Sequence, residues 1–182
     1  TLWWLIPVIL LTMMLAWGKN FAALTNFFID HVPMYNKFRA PSMILVATGM
    51  GVGILAFLAL KEIYEGKIKT DKLAKSILIS AAITGGIALV YALIPSLAGN
   101  FVSSQDAQLQ GDYSFLKETL PLDRKAMLQS DAWRSLAFVV LGAFTLWAFV
   151  KGYLKKNVSV ALLGFFILID MFPVAKRYLN ED

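Results

Sequence analysis

Cysteine is absent from this 182-residue chain, and histidine occurs once, at His31. Neither a disulfide framework nor a thiolate or multi-histidine metal centre can be built from such a sequence. Charge is scarce too. Charged side chains make up 16% of the residues, against roughly 25% in average soluble domains. No stretch alternates apolar and polar residues for long enough to suggest a strand, and an open sheet edge cannot be satisfied in lipid. A basic leader and a cleavage site are missing before the apolar sequence that starts at Leu2, so the chain reads as an excerpt of a longer protein.

Apolar residues are abundant instead, at 58% of the chain with a mean hydropathy of +0.65. A small globule of this composition would expose far more apolar surface than its interior could bury, so lipid is the expected solvent. Crossing about 30 Å of hydrocarbon takes about 20 mostly apolar residues per helix. Five segments approach that length, at 2–17, 42–60, 76–97, 135–150 and 158–173. The expected fold is all-α, a polytopic transmembrane bundle of about five spans forming a single membrane domain over 1–182. Span four is expected to extend outward by two or three helical turns, because 122–141 holds neither Gly nor Pro, with Pro121 setting its start.

The net charge of +5 does not form a basic face interleaved with aromatics, which argues against nucleic acid as a partner. The lysines gather between spans instead. Lys61, Lys67, Lys69, Lys72 and Lys75 lie in 61–75, and Lys151, Lys155 and Lys156 in or beside 151–157, so the basic-loop bias makes both loops cytoplasmic. Loops 18–41 and 99–134 and the tail from Val174 then face outward. Trp3, Trp4, Trp17, Trp133 and Trp147 fall mostly near span ends, where indole rings favour the interface.

Three polar constellations fall on that outer side. The first, Pro33 to Ser42, carries Tyr35, Lys37, Phe38 and Arg39 ahead of Pro41, which suits a first helical turn. It reads either as a membrane-surface anchor whose basic side chains snorkel, or as a phosphate site in which Arg39 offers its planar fork of donors. The second is Ser130 to Ser135, where Asp131 and Arg134 are three residues apart on one helical face, with Arg124 two turns before Asp131. A local Asp131–Arg134 ion pair is the structural expectation, and a basic face toward a central site is the functional one. The third surrounds Asp170, a carboxylate in an apolar run, costing about 2.5 to 3.5 kcal/mol if it stood unpaired at a span centre. A structural pair with Arg177 or Arg39 and a functional role are both open.

Other signals point to packing. Gly49 and Gly53 have the GxxxG spacing of close helix contacts, Gly85 and Gly86 serve the same end in span three, and Pro95 is expected to kink the outer end of that span. His31, beside Asp30, reads as a surface residue of an interfacial loop. No nucleophile triad or metal cage is visible.

Four motifs occur in order: Trp17-Gly18-Lys19-Asn20, Tyr35-Asn36-Lys37-Phe38-Arg39-Ala40-Pro41-Ser42, Asp131 to Ser135, and Arg177-Tyr178-Leu179-Asn180. Together they resemble the YfhO family of bacterial membrane proteins, along essentially the whole chain and in a later portion of that family's membrane region. The resemblance implies a fragment of a larger GT-C-like domain in the bacterial inner membrane. It implies an enzyme moving a sugar from a polyprenyl-phosphate carrier to an envelope glycan or polymer on the extracytoplasmic side. The family's catalytic carboxylate belongs to an early outer loop that these residues do not include, so no catalytic residue is assigned. No cofactor is identifiable here, although the resemblance leaves room for a divalent metal in the full-length protein. Arg39 is the first candidate to hold the departing phosphate, followed by Lys37, Arg134 and Arg177, with Asp170 orienting one of these cations or contacting sugar hydroxyls. A transporter or flippase for lipid or lipid-linked sugar, and a noncatalytic envelope-assembly scaffold, are the competing readings.

Overall fold

The computed structural model describes residues 3–37, 41–66, 68–103, 106 and 116–178, without the side chains at 36, 41, 42, 116, 174, 175, 177 and 178. The described residues form an all-α polytopic architecture of six α-helices: α1 (Leu5–Ala16), α2 (Ala22–His31), α3 (Leu45–Glu65), α4 (Thr70–Leu93), α5 (Leu116–Val150) and α6 (Lys156–Tyr178). Four helices are long and apolar enough to cross a membrane, and five spans result if one sharply bent pair counts as a span. The protein is a multi-pass membrane protein. It divides into two compact units, Thr1–Lys67 and Ile68–Asp182.

In the first unit α1 runs antiparallel to α3. The Thr12 and Thr48 hydroxyls are 2.8 Å apart, and Thr12 also reaches the carbonyls of Val8 and Ile9, so this polar contact is satisfied where no water is available. One turn along, the backbone of Gly51 lies against Ile9, so closely that an added Cβ would stand 2.6 Å from Ile9 Cγ1. Gly49 and Gly53, the GxxxG pair, meet nothing within 4 Å among the described residues. The residue between them makes the contact, because helix rotation decides which face meets α1.

The first apolar segment does not form one straight span. Its helix has 12 residues, a rise of about 18 Å against about 30 Å of hydrocarbon. The chain then turns by 112° into the helical segment Gly18–His31. Gly18 supplies the left-handed φ of 51° at the corner, and the buried Thr25 hydroxyl donates to the Gly18 carbonyl at 2.8 Å. The expected loop 18–41 thus contains a ten-residue helix, α2.

In the second unit α4, α5 and α6 lie side by side. Along α4, Ala74, Ile77, Ala81, Gly85, Ala88 and Ala92 recur at the helical period, and four of these (Ala74, Ile77, Gly85 and Ala92) are buried. This stripe of mostly small residues lets α5 approach closely. An added Cβ on Gly85 would stand 3.4 Å from Leu136, whereas Gly86 meets nothing within 4 Å. The register is antiparallel from end to end, since Gln129 bonds the Ala92 carbonyl at 2.8 Å and Lys151 approaches Asp71 at 3.4 Å. On the opposite face of α5, Arg134, Thr145 and Ala148 lie toward α6, where Asp170 and the fully buried Ser159 share one face.

Glycine and proline set the ends. The α5–α6 turn is a Schellman motif about Gly152 (φ 83°), with the Tyr153 N–H bonding Ala148 O at 2.9 Å and the Gly152 N–H bonding Phe149 O at 3.0 Å. The ring of Tyr153 packs 5.9 Å from that of Trp147 over this turn. Pro95 ends α4 instead of kinking it. Ile94 is pushed out of the helical region (φ −128°, ψ 68°), as the residue before proline tends to be, and a 3-10 turn follows at Pro95–Ala98. Pro121 lies inside α5 and does not start it. In the second turn its missing N–H deprives only the Lys117 carbonyl of a partner, and the helix extends about five turns beyond residue 135, further than expected.

Candidate functional site

The polar chemistry of the second unit collects at the end of α5 away from the Gly152 turn. Its depth follows from helix geometry. Counting 1.5 Å per residue from Val150 and Lys156 places Arg134 about 24 Å and Asp170 about 21 Å along a hydrocarbon layer about 30 Å thick, with Arg124, at about 39 Å, beyond it.

Arg134 and Asp170 form an ion pair at that depth. Arg134 Nε and Nη2 donate to Asp170 Oδ1 at 2.8 and 2.7 Å, and Nη2 also donates to the Asp170 carbonyl at 3.0 Å. Both side chains stay partly open, at 37% and 39% exposure. Among the described residues Arg134 Nη1 has no acceptor and Asp170 Oδ2 has no donor. The pair therefore presents two N–H donors and one carboxylate oxygen to its surroundings, a combination suited to a phosphate beside a hydroxyl.

The expected Asp131–Arg134 pair is not formed. Asp131 is exposed and makes no ion pair among the described residues, because the Arg134 guanidinium turns across the seam to α6. In lipid, neutralising the Asp170 carboxylate matters more than adding an exposed pair along α5, which contributes little. Asp170 is thus held by Arg134, a partner 36 residues away that local spacing could not reveal.

Arg124 does not face this pair. It grips Asp106 with two donors, Nη1 to Oδ2 at 2.6 Å and Nη2 to Oδ1 at 2.8 Å, and Nη1 also bonds the Phe101 carbonyl at 2.8 Å. The Ser103 N–H adds a bond to Asp106 Oδ2 at 2.7 Å. The Arg124 hydrogen bonds, followed by that backbone N–H, pull the Asp106 carboxyl down from 3.8 to about 2. This fork ties the segment after α4 to the projecting part of α5. Asp106 carried no signal of its own in the sequence, since it stands 18 positions from Arg124 with no periodic pattern linking the two.

Arg39 and Lys67 lie outside the described residues, and so does the side chain of Arg177, whose backbone continues α6. Lys37 is exposed on a 3-10 turn of the first unit. His31 is exposed, stacked on Phe27 with ring centroids 4.7 Å apart, and its Nδ1 lies 3.0 Å from the Phe27 carbonyl. No group of three His, Asp or Glu side chains converges among the described residues.

Comparison with protein-family models, with curated proteins and with solved structures returns no match.

Proposed function

We propose that this chain is part of an inner-membrane glycosyltransferase that moves a sugar from a polyprenyl-phosphate carrier to an envelope glycan or polymer on the extracytoplasmic side. Two things support the reading. One is the ordered set of motifs that resembles the YfhO family. The other, which carries the most weight, is the Arg134–Asp170 pair, set at headgroup-adjacent depth with Nη1 and Oδ2 unoccupied among the described residues. As the bond between the sugar's anomeric carbon and the carrier's phosphate oxygen breaks, charge accumulates on that phosphate. Nη1 donates to it in a medium where such a bond is strong. Asp170 fixes the guanidinium through Oδ1 and accepts a sugar hydroxyl at Oδ2. Arg39, Lys37 and Arg177 are proposed as further phosphate contacts, and none of these residues is assigned as the base that takes the acceptor's proton.

The transport reading draws on the 112° break between α1 and the following helix, since transporters bind at broken helices. Those breaks lie near the bilayer midplane. Here the corner is level with the α3 terminus, as the Thr12–Thr48 contact shows, which favours the transferase.

Purified full-length protein with Arg134→Lys, which keeps a cation beside Asp170 but removes the Nη1 edge, should lose consumption of polyprenyl-phosphate sugar by about 100-fold or more, the usual cost of removing one such donor, while its unfolding temperature is retained. Undiminished turnover would remove Arg134 from the site. No consumption by the unmodified protein across plausible donors would favour transport or scaffolding.

A further inference from the structure

The first unit contains a helix whose environment follows from its geometry. Thr12 faces Thr48 and Ile9 faces Gly51, so α1 and α3 run antiparallel with Ala16 level with Leu45. The C-terminal end of α1 is therefore at the same membrane boundary as the N-terminal end of α3, and the corner at Trp17–Gly18 lies at that surface. The following helical segment, Gly18–His31, departs at 112°. For an α1 standing along the bilayer normal, 112° less 90° leaves about 22° below the membrane plane. Over about 21 Å of helix its far end sinks about 8 Å, within the 5–10 Å at which amphipathic helices rest in an interface. A re-entrant helix would have to go about twice as deep to reach the midplane.

The residues of α2 agree with that position. Asn26 and Asp30 form a narrow polar edge, both exposed. Roughly opposite are Leu24, Thr25 and Phe28, which are buried or half-buried, with Thr25 bonded back to Gly18 and Phe28 packed 5.5 Å from Tyr35. Phe27, at 53% exposure, and Ile29, at 43%, project from the two flanks between these edges. Lys19 before the helix and Lys37 after it are exposed, and ammonium groups at this level reach lipid phosphates.

We infer that α2 is an in-plane helix docked on the phospholipid surface, with Phe27 and Ile29 among the upper acyl chains, Asn26 and Asp30 toward water, and Lys19 and Lys37 at the headgroups. The inference stands independently of any chemistry at Arg134. It makes the Trp17–Gly18 corner a fixed lipid anchor for the α1–α3 pair.

These 182 residues contain no cysteine, so with any cysteine elsewhere in the intact protein replaced by serine the labels report on the introduced positions alone. Single cysteines at the exposed positions Ala22, Ala23, Asn26, Phe27, Ile29 and Asp30 are spin-labelled in the intact protein, reconstituted in phosphatidylethanolamine–phosphatidylglycerol vesicles. Collisions with oxygen are then compared with collisions with a water-soluble nickel chelate. The expected ratio rises and falls with the helical period, several-fold higher at Phe27 and Ile29 than at Asn26 and Asp30. A depth that grows without the helical rise and fall and reaches the midplane, about 15 Å, near Asp30 would make the helix re-entrant and overturn the inference. Uniform access to the chelate, or exclusion of both reagents by a covering protein segment, would overturn it as well.

Discussion

Two arginines ten residues apart on α5 do different work because they sit at different depths. Arg134, inside the hydrocarbon, neutralises Asp170 and keeps one edge open. Arg124, beyond it, uses both terminal nitrogens to hold Asp106 and the Phe101 carbonyl. The second arrangement has a pH signature. The folded Asp106 pKa, about 2, lies below the value near 3.8 of the free side chain, so the tie is complete above pH 4 and is lost as pH falls through about 2. Amide exchange of residues 99–103 should be flat from pH 8 to 5 after correction for intrinsic rates, then accelerate on further acidification. Asp106→Asn should show the accelerated exchange already at pH 7, several-fold above the unmodified protein; equal exchange would show that the fork does not hold this segment.

At the scale of elements, helix packing rests on small residues whose neighbours are set by rotation and level. Gly51→Val adds bulk where Ile9 already closes the gap, so it should destabilise the α1–α3 pair by about 1–3 kcal/mol, the usual cost of overpacking. Gly49→Ala meets no neighbour and should be neutral or stabilising by up to about 1 kcal/mol through helix propensity. Thermal unfolding in detergent compares the two, and equal losses would assign the contact to the GxxxG pair after all. The stripe on α4 was legible in part, since Gly85 stood out as a packing residue, while the alanines at helical spacing on either side of it carry no mark of their own. Asp170 stood out in the sequence as a carboxylate in an apolar run. Arg134 stood out as well, but the pairing of the two did not, because parts of two helices and the turn between them separate them in the chain.

For the molecule as a whole, the basic-loop bias of 61–75 and 151–157 predicts an orientation, and the proposed function requires the Arg134–Asp170 end to face outward. Cysteine placed at Val102, near that end, should react with an impermeant maleimide on intact cells. Cysteine at Tyr153, in the Gly152 turn, should react only after permeabilisation. The reverse pattern would invert the topology and, with it, place the candidate site on the cytoplasmic side.

Class and approximate helix positions were legible in the sequence because they depend on local quantities, namely the length of apolar runs and the scarcity of charge. The breaks at Gly18, Gly66 and Gly152 are local as well, since a left-handed φ favours glycine wherever it is needed. Tertiary structure alone decided that Arg134 pairs with Asp170 and not with Asp131, that Gly51 and not Gly49 meets α1, and that the first apolar run bends into a second helix at the level of the α3 terminus. Each of these depends on the rotation and relative height of helices far apart in the chain. A shift of one residue turns a helix face by about 100°, more than enough to exchange one partner for another without altering the apolar pattern.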